Sequence, residues 1–219
     1  DGWAEIEPET AAEQTGVAFQ DRSFSDTEES PYAQAIDLLA TYGLLSGTGD
    51  GTFRPEETLT RAQLCVLLAQ ALNCTAYLGE SVFSDVPMES WYGPAVHALA
   101  QMGLVSGMGD GTFHPDEGVS HEQLISILGR LAQYLNLRFA QTAEGMPEDA
   151  TGVAGLIPYA PWARDEVWLL ALSQRGLLGN TISLLWDELE EIDPQGITTR
   201  EEAAALLYQV LAHTDILPA

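Results

Sequence analysis

The sequence predicts a mostly α-helical fold built from three helix–long loop–helix repeats. A glycine-rich run occupies residues 43–55 and returns, sixty positions later, in residues 103–115. A weaker third copy reads Arg175-Gly-Leu-Leu-Gly179 and continues, past an altered loop, at Thr198. Apolar segments with helical spacing flank each run. One unit of this kind cannot bury its own apolar face, so neighbouring units must share a core.

The first helix of each repeat has a clear start and stop in the sequence. We expect it from about Pro31 to Tyr42, because proline suits the first helical turn and Gly43 ends the apolar periodicity. The second copy repeats this arrangement with Pro94 and the stop at Gly103.

A loop of about sixteen residues follows, which is long for a compact domain and so is functional or ordered by its own contacts. Its Asp50-Gly51 pair favours a tight turn with positive φ, and Phe53 can turn inward as an anchor. The loop partly matches a calcium-binding pattern. However, its acidic first and third ligands are missing, so a structural turn is favoured and no metal site is predicted.

The second helix of each repeat begins at a capping box, in which a Ser or Thr side chain and a Gln or Glu side chain cap each other's backbone N–H. The three pairs in register are Thr60/Gln63, Ser120/Gln123 and Thr199/Glu202.

Composition excludes several classes of partner and site. Thirty-three acidic residues face eight basic ones, all arginine, and the formal net charge is −25. Such a surface repels nucleic acid and anionic lipid. No apolar run approaches the ~20 residues that span a bilayer, and residues 1–22 lack the features of a signal peptide.

Cys65 and Cys74 lie nine residues apart on one predicted helix, too far for a disulfide, and are expected to be free thiols.

These residues resemble the S-layer homology (SLH) module. The resemblance rests on Phe83-Ser-Asp-Val86, on Gly103-Leu-Val-Ser-Gly-Met-Gly-Asp-Gly-Thr-Phe-His-Pro115 with its first copy, and on Thr60-Arg-Ala-Gln63. It covers about 24–74 and 83–135 well and 157–212 loosely.

The resemblance implies three modules packed as a pseudo-threefold unit with ligand grooves between them, a monomer, and no cofactor. It also implies an extracellular place on a bacterial surface and binding of a peptidoglycan-linked secondary cell-wall polysaccharide, typically pyruvylated. The predicted division is a 1–22 acidic leader or linker, repeats at 23–78 and 79–137, a connector at 138–155 and a degenerate repeat at 156–219.

Arg61 and Arg200 are the main candidate ligand-binding residues. Each stands at the first helical position, where a cation opposes the helix dipole by ~0.3–1 kcal/mol. One use of this placement is a two-part anion site of free helix-start N–H groups and a guanidinium fork. The alternative is a surface arginine paired with a nearby glutamate. The resemblance favours the ligand site. His121 takes the arginine's place in the second copy, so that site would need a protonated imidazole.

Further candidates carry an alternative beside the binding role. Asp26 and Asp85 would orient sugar hydroxyls or serve only in turns, while Trp91 and Tyr32 would stack on a sugar or pack in the core. The remaining ligand-binding candidates are Thr60, Gly47 and Gly107.

For the glycines, the predicted role is close backbone approach to a ligand, or simply a positive φ. No carboxylate pair, metal spacing or nucleophile motif stands out, so no catalysis is expected. The function that the resemblance implies is cell-wall anchoring. The alternative is a degenerate module for protein interaction or assembly, and a hydrolase would need turnover of wall glycans.

Overall fold

The computed structural model describes residues 24–77, 79–137, 158–174, 191–214 and 216–217. The predicted leader at 1–22 and connector at 138–155 lie outside them. Within the described residues the chain is helical and contains no strand beyond isolated bridges. The helices are α1 Ala33–Thr41, α2 Arg61–Ala71, α3 Gly93–Gln101, α4 His121–Tyr134, α5 Arg164–Gln174 and α6 Arg200–Leu211. None of these helices has the length and apolar character that crossing a bilayer requires.

The predicted helix stops are confirmed. Gly43 and Gly103 adopt φ values of 70° and 75°, which end α1 and α3. Their N–H groups bond to the helix carbonyls three residues back, and the next N–H of each reaches five residues back, which satisfies two terminal carbonyls. Pro94 lies in the first turn of α3 as expected, whereas α1 begins at Ala33, two residues after the proline predicted to start it.

All three predicted capping boxes are present. In α2, α4 and α6 the cap hydroxyl accepts the N–H of the residue three positions on, and that residue's side chain accepts the cap N–H. These boxes fix where each second helix begins and therefore which residue occupies its first position.

The glycine-rich loops are ordered by their own contacts. Gly51 and Gly111 have φ values of 87° and 88°, as the Asp-Gly pairs predicted. Phe53 and Phe113 are each 1% exposed. Phe53 packs on Phe24 with ring centroids 5.4 Å apart. The loops are therefore anchored inward by an aromatic pair.

A closed ring of hydrogen bonds joins the residues before the three second helices. The N–H of Leu59 donates to the Thr198 carbonyl at 3.0 Å, Thr198 donates to Val119 at 2.8 Å, and Val119 donates back to Leu59 at 2.9 Å. All three residues are at most 1% exposed. Segments far apart in sequence thus meet at one point, and Leu59 and Val119 also belong to the apolar core of the described residues.

Candidate ligand clefts between the helical segments

Arg61 leaves its own repeat and docks on the loop of the next one. Its Nε donates to the Phe113 carbonyl at 2.8 Å and its Nη2 to the Ser106 carbonyl at 2.9 Å. The guanidinium carbon lies 4.2 Å from the centroid of the Phe113 ring. The residue is only 6% exposed, and this burial lowers the pKa of its guanidinium group.

Arg200 makes the same contacts on the first loop. Its Nε donates to the Phe53 carbonyl at 2.9 Å, its Nη2 to the Ser46 carbonyl at 3.2 Å, and its guanidinium carbon lies 4.6 Å from the Phe53 ring centroid. In the described residues neither Arg200 nor Arg61 forms a salt bridge. The alternative of an arginine held by a neighbouring glutamate is therefore wrong for both.

The backbone half of the predicted anion site is also wrong. The N–H groups of Arg61 and Ala62 donate to the carbonyls of Glu117 and Pro115 at 2.9 Å each, and the Gln63 N–H donates to the cap hydroxyl. The first N–H groups of α6 are satisfied in the same way by the first loop. A neighbouring loop thus occupies the place where an anion would meet a bare helix start, and only the guanidinium groups remain to receive one.

His121, the third residue in this position, already has a carboxylate beside it. Its Nδ1–H donates to the Asp193 carbonyl at 2.9 Å, and its Nε2 lies 3.5 Å from Glu202 Oε2. The neighbouring Glu202 carboxylate raises the pKa of His121, although partial burial opposes it. The protein's own glutamate therefore competes with any external anion at this junction.

Each docked arginine lines an open cleft. The Arg200 cleft has a volume of about 240 Å³ and the Arg61 cleft about 360 Å³. The Arg200 cleft is lined by residues that include Arg200, Ser46, Gly47, Thr48, Gln63, Val66, Leu67, Gln70 and Trp91. The Arg61 cleft is lined by Arg61, Ser106, Gly107, Met108, Gly109, Gln123, Ser126, Ile127, Arg130 and Trp162.

The two clefts are built alike. Most loop and helix residues of the second lie sixty positions after their counterparts in the first, and each cleft adds one arginine and one tryptophan from other segments. Trp91 is 66% exposed and Trp162 is 50% exposed. Trp91 thus presents a ring to its cleft, and the alternative of a core tryptophan is wrong there. Tyr32 lies elsewhere, half-buried, and burial together with nearby Glu202 raises its pKa.

Asp26 and Asp85 do not line these two clefts. Both oxygens of each carboxylate accept backbone N–H groups from two successive loop residues, at 2.7–2.8 Å. The second of those residues, Arg54 or His114, has a φ near 60° (59° and 57°), which the aspartate clamp holds in place. The turn-forming role, which was the alternative for both aspartates, is therefore observed, and the contact with sugar hydroxyls stays a prediction.

Gly47 and Gly107 line the clefts, yet the reason for glycine there is internal. A Cβ on Gly47 would lie 2.4 Å from the Thr52 carbonyl oxygen and 2.5 Å from the Phe24 ring, and Gly107 is equally confined. Neither glycine has a positive φ. The Thr60 hydroxyl accepts the Gln63 N–H at 3.2 Å, so its observed role is the helix cap.

Sequence reasoning missed several residues that line the clefts, among them Gln70, Ser126, Arg130 and Trp162. The helical ones follow the capping-box glutamine at spacings of three and seven residues, which places them on one helix face. That spacing was the available signal. Trp162 lies before the third copy of the glycine-rich run, which begins at Arg175, and it was not among the predicted ligand-binding residues.

Comparison with known proteins identifies the repeated motif. The S-layer homology domain model matches residues 23–65 and 82–125. An S-layer protein of Bacillus thuringiensis subsp. finitimus is 30% identical over 91% of this chain and 22% of its own length. A surface-layer 125 kDa protein of Lysinibacillus sphaericus is 24% identical over 86% of this chain and 15% of its own length.

An exoglucanase, XynX, of Acetivibrio thermocellus is 28% identical over 93% of this chain but only 17% of its own length. The chain therefore spans about a fifth or less of these relatives. The domain matches and the surface proteins together indicate a location outside the cell, at its surface or wall. Two segments of the chain, 23–65 and 82–125, are similar to S-layer homology domains, and its relatives include S-layer and cell-surface proteins.

Proposed function

We propose that this chain is a non-catalytic module that attaches a protein to the bacterial cell wall by binding an acidic secondary polysaccharide. The observation that carries the proposal is the pair of clefts, each of which combines a guanidinium group docked on loop carbonyls with an exposed tryptophan. An acidic sugar needs both, a charge-assisted hydrogen bond for its carboxylate and an aromatic face for its ring.

The arginines are suited to this task because they are fixed before a ligand arrives. In each, two nitrogens are held by loop carbonyls and the ring beneath restricts the guanidinium plane. Little side-chain freedom is then lost on binding, which favours affinity. A pyruvate ketal, whose carboxylate is attached rigidly to the sugar, is the acidic group we propose.

The net charge of −25 opposes approach of an acidic polymer but does not prevent it. Charges farther than ~8 Å from the bound group are largely screened at physiological salt, so the local guanidinium decides the interaction. Binding should consequently strengthen when salt is raised from very low values.

We also propose that residues 23–78, 79–137 and 156–219 act as three modules around an approximate threefold axis and that the unit is a monomer. The hydrogen-bonded ring of Leu59, Val119 and Thr198 supports this division, because each member comes from a different proposed module. Light scattering coupled to size exclusion measures the mass of the unit.

The test uses sedimentation with purified cell-wall sacculi, with and without their secondary polymer. The informative variants are Trp91→Ala, Trp162→Ala and the double variant, because these exposed rings carry little of the core. Arg61→Ala is less suited, since it also removes two internal hydrogen bonds. Tyr134→Ala is the matched control, an aromatic residue 50% exposed that lines neither cleft.

We expect the wild type and Tyr134→Ala to sediment only with polymer-bearing sacculi, and the double variant to remain in solution. Absence of wild-type binding, or double-variant binding equal to wild type, would overturn the proposal and favour a protein-interaction module. Thermal denaturation of each variant confirms that it is folded.

A further inference from the structure

Two positions on the second helix differ in chemical character between the two clefts. Where the Arg200 cleft has Gln70, the Arg61 cleft has Arg130, and where the first has Val66, the second has Ser126. Each pair is separated by the same sixty positions as the rest of the lining. The two clefts therefore share one backbone framework. One wall is uncharged in the Arg200 cleft, whereas the same wall of the Arg61 cleft carries a cation and a hydroxyl group.

Arg130 is placed beside Arg61 in the second cleft. The Nη2 of Arg61 donates to the Ser106 carbonyl at 2.9 Å, and the Nη1 of Arg130 lies 3.5 Å from the Ser106 hydroxyl oxygen. Both guanidinium groups thus meet at a single residue. Ser46, the counterpart of Ser106, accepts a hydrogen bond from Arg200. No second arginine is present among the described residues of that cleft.

Glu166 holds Arg130 at the cleft wall through only one of its two carboxylate oxygens. Its Oε1 accepts from Arg130 Nε at 3.0 Å, while Oε2 is buried and has no hydrogen-bond partner among the described residues. The Arg130 side chain is 23% exposed, so it remains reachable from the cleft. Glu117 and Asp85 act on Arg61 from outside the cleft, but the described residues that line the cleft include two guanidinium groups and no carboxylate.

Ser126 points independently to a polar ligand in this cleft. It is 1% exposed, it lines the Arg61 cleft, and its hydroxyl has no hydrogen-bond partner within the part of the chain that the structure describes. A buried hydroxyl without a partner is costly, and most such groups in folded proteins are satisfied. A hydroxyl or amide of a bound sugar would satisfy it.

We infer that the clefts are inequivalent: the Arg61 cleft is the site for the acidic unit of the polysaccharide, and the Arg200 cleft takes a less charged unit of the same chain. In the Arg61 cleft the carboxylate lies between Arg61 and Arg130, and a neighbouring polar group of the sugar reaches Ser126. The Arg200 cleft offers one guanidinium and an apolar Val66 instead. This inference rests on the proposed function of the clefts.

The experiment uses the full chain labelled with 5-fluorotryptophan and observed by fluorine NMR. The resonances of Trp91 and Trp162, one at each cleft, are assigned with the Trp→Phe variants. The probe is the pyruvate ketal of a methyl hexoside, with the methyl ester of the same ketal as the uncharged control. We expect the Trp162 resonance to shift at an about tenfold lower concentration than that of Trp91. The ester should abolish the difference.

Exchange of the two positions between clefts sharpens the test. Ser126→Val with Arg130→Gln should weaken the response of Trp162 to the level of Trp91, and Val66→Ser with Gln70→Arg should strengthen the response of Trp91. Equal midpoints in the wild type, or Trp91 responding first, would overturn the inequivalence while leaving the proposed function intact. If neither resonance moves, both proposals fail. The wild-type comparison stands even if an exchanged variant does not fold.

Discussion

Replacing Arg61 by alanine should destabilise the protein, in addition to removing one guanidinium group from the cleft. The side chain makes two hydrogen bonds from a charged group, at 2.8 and 2.9 Å, and covers the Phe113 ring at 4.2 Å. Hydrogen bonds to charged groups contribute about 1.5–3 kcal/mol each, and a cation over an aromatic ring adds about 0.5–1 kcal/mol. Because water can enter the open cleft and solvate the vacated carbonyls, we take the lower values and expect a loss of about 3–4 kcal/mol.

The corresponding change at Arg200 should cost less. Its second hydrogen bond is longer, at 3.2 Å, and lies in an exposed setting, while its ring contact is at 4.6 Å. We expect about 2 kcal/mol for Arg200→Ala. Arg54→Ala is the control, because Arg54 forms only exposed salt bridges with Asp50 and Glu57, and such pairs contribute little.

Urea denaturation followed by tryptophan fluorescence measures these differences, and a thermal scan gives a second reading. For a chain of this size, Arg61→Ala should lower Tm by about 6–16 °C, and Arg54→Ala should stay within about 2 °C of wild type. If Arg61→Ala proves as stable as the Arg54 control, the contacts of the Arg61 guanidinium with the second loop do not stabilise the protein, and the reasoning is refuted.

The remaining predictions concern single sites. The Glu202 carboxylate, 3.5 Å from His121 Nε2, raises the pKa of His121 above 6.5. Burial acts to raise the pKa of Glu202, but the neighbouring His121 and the hydrogen bonds with Thr199 outweigh it and lower that pKa below 4.5. The stability that wild type gains over His121→Gln should thus be greatest between about pH 4.5 and 6.5. This difference in free energy of unfolding should fall above the window as His121 loses its proton, and below it as Glu202 gains one. Urea titrations at three pH values measure it. A difference that does not change with pH would show that His121 and Glu202 do not form a stabilising ion pair. Burial raises the pKa of Cys65 to about 12, so Ellman's reagent should label Cys74 in the native protein and Cys65 only after unfolding. Gly107→Ala should cost about 1–3 kcal/mol by chemical denaturation, because its Cβ would lie 2.4 Å from a backbone carbonyl oxygen.

Local signals in the sequence were sufficient for the helices. The capping boxes at Thr60, Ser120 and Thr199 act over three residues, and the stop at Gly43 acts over five, so each can be recognised without knowing the tertiary structure. The loop turns were predictable for the same reason, since the Asp-Gly pairs specify their own backbone conformation.

The site was less predictable because its contacts are not local. Arg61 bonds to residues 45 and 52 positions away, and Arg200 to residues 147 and 154 positions away. The motif marked both arginines as unusual, but only the packing of the segments reveals that carbonyls, not carboxylates, receive them. Arg130 carried no motif at all, and its neighbours are set by how α4 lies against α5.

The third segment, which the domain model does not match, is nevertheless required for both clefts. Among the described residues that line the first cleft Arg200 is the only cation, and Trp162 supplies the aromatic wall of the second. The same segment closes the backbone ring through Thr198. Its glycine-rich loop has diverged, whereas the capped helix start and the arginine that follows it are retained. The third segment thus keeps the residues that complete the clefts of the other two segments. A chain reduced to its two matching segments would lack Arg200 and Trp162, and neither cleft would be complete.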